Sequence, residues 1–361
     1  MVSPIEPLRL LLLASPAFAG YGDARDGLPT HADRELFFWS NAVRVAPDAF
    51  RSDYPCDFDR FAAGEKTPKP PLRFDADLTA AAAYHSNDMR TDGYFDHDSN
   101  DGTSWDARIR RYYRGGTIAE NIAQGYASPY DAVVRGWMCS SGHRANLMSD
   151  RYEDLGVGVS GNYYTQDFGA GAGSTPRATT MGLHLPRVPG AQVQFGVDWS
   201  ANAPPDELYV VVAGERHDLA LSVGTEERGV WAVTVPTGTG CRPYHFVAVL
   251  DGQTESFPEE GSYGYGDCAW DDAGAEWLAE QVPEIVDETT PTDTGDPGTT
   301  PPPTEPTSSG SGETGDDPAA EADGTGSTPE GCGCDGAGGG AGAAPVLAPI
   351  LALAWRRRRR R

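Results

Sequence analysis

Positive charge is scarce in this chain. Its 361 residues hold 28 lysines and arginines against 53 aspartates and glutamates, which leaves a formal charge of −25 and a pI near 4.5. Phosphate binding needs a basic surface, so nucleic acid is excluded as a partner. The chain has no C-x-x-C pair, which excludes a zinc site built on closely spaced cysteines. The apolar stretch near the end, Ala344–Trp355, is shorter than the roughly 20 residues that a spanning helix requires. Residues 287–330 have almost no large apolar side chains. Built from Thr, Pro, Gly, Ser, Asp and Glu, they cannot bury a core and read as a disordered acidic spacer.

The length allows two domains plus tails. Residues 1–19 hold one arginine (Arg9), the run Leu10–Leu13, and Ala17-Phe18-Ala19 before Gly20. That is the pattern of a secretory signal cleaved after Ala19; a short buried helix is disfavoured because Pro4, Pro7 and Pro16 would break it. In an exported chain disulfides persist. With Cys332 and Cys334 set aside in the tail, four cysteines allow three connectivities. Pairing Cys56 with Cys139 and Cys241 with Cys268 is the simplest, because each bridge then stays inside one domain.

Residues 20–33 read as flexible. Glu35–Arg44 can form an amphipathic helix ending near Pro47, and Ser52–Pro71 is an irregular loop. Asp75–Met89 gives the clearest helix, with Leu78, Ala82, His85 and Met89 on one stripe at 3.6-residue spacing. His85 on that stripe is read as a packed, hydrogen-bonded histidine. Asp96–Gly102 has the one, three, five acidic spacing of a calcium loop. Its glycine falls at position seven, however, and Ala107 stands where a bidentate glutamate belongs. A turn with Asx hydrogen bonds is the better reading, with calcium the lesser alternative. Arg108, Arg110, Arg111 and Arg114 read as a solvated basic helix face, with an anion site such as one for a lipid head group as the alternative.

Three polar signatures lie in Tyr94–Met148: Phe95-Asp96-His97, Ala119-Glu120-Asn121-Ile122-Ala123 and Ser141-Gly142-His143-Arg144-Ala145-Asn146. Two imidazoles and a carboxylate from three segments can converge in one cleft, as metal ligands or proton carriers. A helix follows Ser128-Pro129 through Trp137. Leu155, Val157 and Val159 alternate with glycine as a strand does, and Tyr163–Phe168 is the next strand. After a Gly/Ala/Ser linker, Val193–Trp199, Leu208–Ala213, Gly229–Val235 and Tyr244–Leu250 read as short strands of a small immunoglobulin-like sandwich over residues 178–272. His217 and His245 in that region read as structural or exposed.

The order of motifs resembles the CAP superfamily of cysteine-rich secretory, antigen-5 and pathogenesis-related proteins, in its bacterial SCP-like form. The matching residues are Phe95–His97, the segment around Glu120-Asn121-Ile122-Ala123, Trp137–Asn146, Gly156-Val157-Gly158-Val159 and Tyr164–Gly169. The resemblance implies an α+β fold, a CAP-type α-β-α sandwich over residues 33–169, with the β-sandwich following. It also implies a cleft lined by two histidines and two acids. His97, His143 and Glu120 match three of these, and the second acid is missing, Ser140 being its nearest polar occupant. Asn121, Ser140 and Asn146 would support the cleft.

Such a cleft can hold zinc or another divalent metal. The leading reading is a non-catalytic binding module for a lipid, peptide or glycan. The alternatives are a scaffold with no cleft ligand and a metal-assisted hydrolase with Glu120 as base. Ser140 and Ser141 lie near His143, but no nucleophile-elbow pattern supports a serine hydrolase. The end of the chain, residues 331–361, has Cys332 and Cys334, the apolar stretch and six arginines. It resembles the MYXO-CTERM sorting tail. That implies export, processing or modification near these cysteines, membrane association through the tail, and retention at the outer membrane of a Gram-negative, myxobacterium-like host.

Overall fold

A computed structural model describes residues 20–173, 177–268 and 276–285. The signal-like start, the acidic spacer and the cysteine-containing tail lie outside the described residues.

The first half is a four-stranded sheet with helices on both faces. Helix α1 (His31–Val45) starts at a capping box. The Thr30 hydroxyl accepts from the Asp33 amide, and the Asp33 carboxylate accepts from the Thr30 amide. Short α2 spans Ala63–Lys66, α3 spans Ala76–Asp92, α4 spans Trp105–Arg110 and α5 spans Ser141–Leu147. Asp75 caps α3 by accepting from Leu78 N at 2.8 Å, and Gly93 ends it at φ +70°, where a side chain would be strained. The strands are β1 (Arg73–Phe74), β2 (Thr117–Gln124), β3 (Asp154–Ser160) and β4 (Tyr163–Ala170), ordered β1-β3-β4-β2. Only β1 and β3 run parallel. Strand β2 is an edge.

Alternation divides the sheet between the two helical layers. Glu120, Ile122, Thr165 and Asp167 share the α3 face, where Ser86 of α3 bonds Gly158 O and Thr165 Oγ1. The glycines of β3 allow the approach. A Cβ on Gly156 would lie 2.1 Å from the Leu78 carbonyl carbon, and one on Gly158 would lie 2.3 Å from the Ala82 carbonyl. Asn121 and Gln166 point the other way, toward α1, where Gln166 Nε2 donates to Ser40 Oγ at 2.6 Å.

The second half is all β. One sheet is ordered β5 (Gly182–Leu185), β6 (Gln192–Ser200), β10 (Arg228–Pro236), β9 (Ala220–Gly224). The other contains β7 (Glu207–Val212), β8 (Glu215–Asp218), β11 (Cys241–Leu250), β12 (Gln253–Phe257), β13 (Ser262–Gly266) and β14 (Trp277–Leu278). They meet face to face through Phe195 on β6 and Tyr244 on β11, whose rings lie 5.0 Å apart. Cys56 is bonded to Cys139 and Cys241 to Cys268, the within-domain pairing.

Two expectations need correction. Residues 20–30 are fixed rather than flexible. Tyr21 OH accepts from Phe74 N at 2.6 Å, and Tyr263 OH donates to Gly22 O at 2.7 Å. Helix α1 is also not amphipathic in the ordinary sense, because it is buried on both sides. Its outer face carries His31, Arg34 and Asn41, all at most 2% exposed. His31 donates to His184 O at 2.9 Å, Arg34 lies 3.6 Å above the Tyr263 ring, and Asn41 reaches Thr180 and Asp198. The two halves therefore share one continuous core through α1.

Candidate functional site

The three expected cleft residues gather around β2, an edge strand of the sheet. Glu120 belongs to that strand, His97 to the loop after α3 and His143 to α5. The loop is shaped by the Asx bonds expected of it: Asp98 N donates to Asp96 Oδ1 at 3.1 Å and Trp105 N to Asp98 Oδ1 at 2.9 Å. Asn121 and Asn146 hold the third segment. Asn121 Nδ2 donates to His143 O at 3.1 Å and to Gln166 Oε1 at 3.0 Å, and Asn146 Nδ2 donates to Asn121 Oδ1 at 3.0 Å. The outer edge of β2 is covered as well, since Trp137 Nε1 donates to Ile122 O at 3.1 Å. Ser140 is outside this network. It stands at the N-cap of α5 and makes no side-chain cap bond.

Glu120 is the centre of the site. His97 Nδ1 donates to its Oε1 at 2.8 Å, and Arg108 donates to its Oε2 at 2.5 Å. Arg108 also donates to His97 O at 2.9 Å and Ser99 Oγ at 3.0 Å, so a single buried guanidinium ties the loop to the strand. The solvated reading of the arginine cluster therefore fails at Arg108, which is fully buried, while Arg110, Arg111 and Arg114 are exposed. Helical spacing decides this: position 108 turns inward with the buried Ile109, and burial of its charge is tolerated because Glu120 answers it.

Burial pushes the Glu120 carboxyl upward. The His97 hydrogen bond and the Arg108 charge outweigh it and hold the group below the usual carboxylate range. Asp167, directly across from Glu120 on β4, goes the other way: burial, then the Glu120 charge, raise it well above the ordinary value. Asp167 was not among the residues expected at the site. The two-residue alternation of β4 was the available signal, since it puts Asp167 on the buried α3 face. His85 is packed as expected. Its Nε2 donates to Asp96 O at 3.0 Å, and burial lowers it to about 4. His143 is 7% exposed, and burial followed by the His97 charge lowers it to about 4.

With His97 Nδ1–H committed to Glu120, Nε2 is the ring nitrogen that this bond leaves over, and the His97 side chain is 32% exposed. Glu120 orients that ring as a carboxylate does behind a metal-bound histidine. Among the described residues, no group of three or more His, Cys, Asp or Glu side chains is arranged to hold a metal ion. Two cavities, of about 340 and 410 Å³, lie away from the cleft between the two halves. The first is lined by Arg44, Arg73 and Arg177 among others, the second by Val45, Pro47, Pro68 and Ala201.

The helix-sheet-helix arrangement and the His97–Glu120–His143 edge lie within the stretch that is similar to a known family. Residues 41–170 match the family model described as CAP, the cysteine-rich secretory protein family. The uncharacterized protein YkwD of Bacillus subtilis strain 168 is 37% identical over 110 residues, 30% of this chain and 42% of the relative. The uncharacterized membrane protein YlbC of the same organism is 40% identical over 98 residues, 27% of this chain and 28% of the relative. The chain therefore spans less than half the length of these curated relatives. A solved extracellular protein containing a SCP domain, from Bacillus anthracis strain Ames, is 30% identical with a TM-score of 0.27. That match covers 34% of this chain and 39% of that one. No helix among the described residues is long and apolar enough to cross a membrane.

Proposed function

We propose that the protein is an exported, surface-retained binding module whose CAP cleft recognises a ligand (a lipid, peptide or glycan) and is not a hydrolytic centre. The state of Glu120 carries this reading. A general base must accept a proton from water within hydrogen-bond reach. Both Glu120 oxygens are already engaged, by His97 and by Arg108, and the Arg108 charge stabilises the ionised form. What the network does is fix a ring: it presents His97 Nε2 outward in one tautomer, beside His143. These two nitrogens would hold zinc or another divalent cation, with the remaining positions left for solvent or a ligand group. The C-terminal β region is read as an immunoglobulin-like accessory module that supports the domain through α1. The tail after residue 330 is read as its means of retention.

Calorimetric titration of Zn²⁺ into the protein and into a His97→Ala/His143→Ala double variant tests the cleft. The expected result is binding in the micromolar range or tighter, abolished in a variant whose circular dichroism is unchanged. Absence of binding to the unmodified protein would remove the metal from the reading. Zinc-dependent peptide cleavage lost in Glu120→Gln would overturn the non-catalytic reading itself.

A further inference from the structure

We propose that the Ala19–Gly20 bond is a maturation site, and that the α-ammonium group released there becomes an ion-pairing element of the folded protein. On the sequence side, Ala17-Phe18-Ala19 is the small-x-small pattern that an exporting host's signal peptidase cleaves. The structural side comes from what surrounds Gly20. Its nitrogen donates to Asp23 Oδ2 at 2.7 Å, and Asp23, only 6% exposed, uses Oδ1 to accept from Glu260 N at 3.0 Å. Tyr21 N donates to Glu259 Oε2 at 2.7 Å, and Glu259 N donates back to Tyr21 O at 2.9 Å. Residues 20–23 are thus laced into the turn between β12 and β13, more than 230 residues away in sequence.

The notch is tight at Gly20. A Cβ on Gly20 would lie 2.8 Å from Asp23 Oδ2, 2.9 Å from Glu259 Cβ and 3.1 Å from Glu260 Cγ. The Asp23 carboxylate thus holds the Gly20 nitrogen, and the Glu259 carboxylate holds the Tyr21 nitrogen beside it. The cation that answers them is Arg177, 3.1 Å from Glu259 Oε2, 3.9 Å from Glu255 Oε1 and 4.6 Å above the Tyr21 ring. An amide nitrogen brings this acidic notch one hydrogen and no charge.

Hydrolysis changes that. Water adds across the Ala19–Gly20 bond, the Ala19 carbonyl leaves as the carboxylate of the released peptide, and the Gly20 nitrogen takes up a proton. The host peptidase supplies the catalysis. The resulting ammonium has three donors and a full charge against Asp23, with the Glu259 carboxylate at the next residue, and charge-assisted bonds are roughly twice as strong as neutral ones. Processing would then lock the start of the chain onto the β region, which already holds the outer face of α1.

The test has two parts. The full chain is expressed for export in a Gram-negative host and its intact mass measured, with a mature start at Gly20 expected. Chains beginning at Gly20 and at Ala19, both continuing to Arg361, are then melted side by side. The Gly20 chain should have a Tm higher by about 2–4 °C. An α-amino group titrates near 7.7–8.0 when free, and carboxylate neighbours raise it, so the advantage should be present below that range and vanish by about pH 10. Asp23→Asn and Glu259→Gln should each shrink the gap between the two chains. A mature start elsewhere, or equal melting of the two chains at pH 7, would overturn the proposal.

Discussion

Asn41 of α1 donates to the carboxylate of Asp198 on β6 at 3.0 Å, and both residues are buried. The same Asn41 accepts from Leu72 N at 2.8 Å and donates to Leu72 O at 2.9 Å. One amide thus joins the flank of the four-stranded sheet to the β region. Asn41→Leu keeps the volume and strands the Asp198 and Leu72 groups, at a cost of about 2–4 kcal/mol. Urea unfolding monitored separately by hydrogen exchange in β3 and in β6 should show one shared transition, moved to lower urea in the variant. Independent transitions in the two strands would refute the shared core.

Arg108 pairs with the buried carboxylate of Glu120, which lies across the strand from a second buried carboxyl, Asp167. Arg108→Met removes the charge and leaves Glu120 uncompensated, which should cost about 3–5 kcal/mol. Glu120→Gln, which leaves the Arg108 charge unanswered in turn, should cost a similar amount. The comparison is a pair of denaturation curves at pH 7. A loss below 1 kcal/mol in Arg108→Met would mean that the guanidinium is not what keeps Glu120 ionised.

His184 sits at the seam between the halves. Its ring accepts from Tyr244 OH at 3.0 Å and donates to Arg187 O at 3.2 Å, and burial lowers it to about 3 from 6.5. Between those values the unfolded chain binds the extra proton and the folded chain does not. The stability that depends on neutral His184 is therefore complete above pH 6.5 and declines as pH falls toward 3. At pH 5 the loss is on the order of 2 kcal/mol. Unfolding free energies of the unmodified protein and of His184→Gln, measured from pH 7.5 to 5, should converge by that amount; parallel curves would sink the assignment.

Much of this was legible in the sequence. The stripe Leu78, Ala82, His85, Met89 marked α3, and the alternation in Val193–Trp199 marked β6. The convergence of His97, Glu120 and His143 followed from motif order. The polar residues turned inward were harder to read. Arg34, Asn41 and Arg44 look like the wet side of a helix until their partners are known, and those partners are Tyr263, Asp198 and Leu147 O, each more than 100 residues away. Arg108 hid in the same way among arginines that are exposed. Periodicity reports which side chains are apolar; it is silent about polar ones that find partners across a second sheet.

The double burial of α1 also sets an order of events. The helix leaves the ribosome well before the residues that cover its outer face, from Thr180 to Tyr263, which arrive more than 130 residues later. Until then His31 lacks the His184 carbonyl, Arg34 lacks the Tyr263 ring and Asn41 lacks the Asp198 carboxylate. The outer face of α1 is therefore closed only once the far half is in place. A chain that stays open for that long remains suited to being threaded through a membrane before it closes.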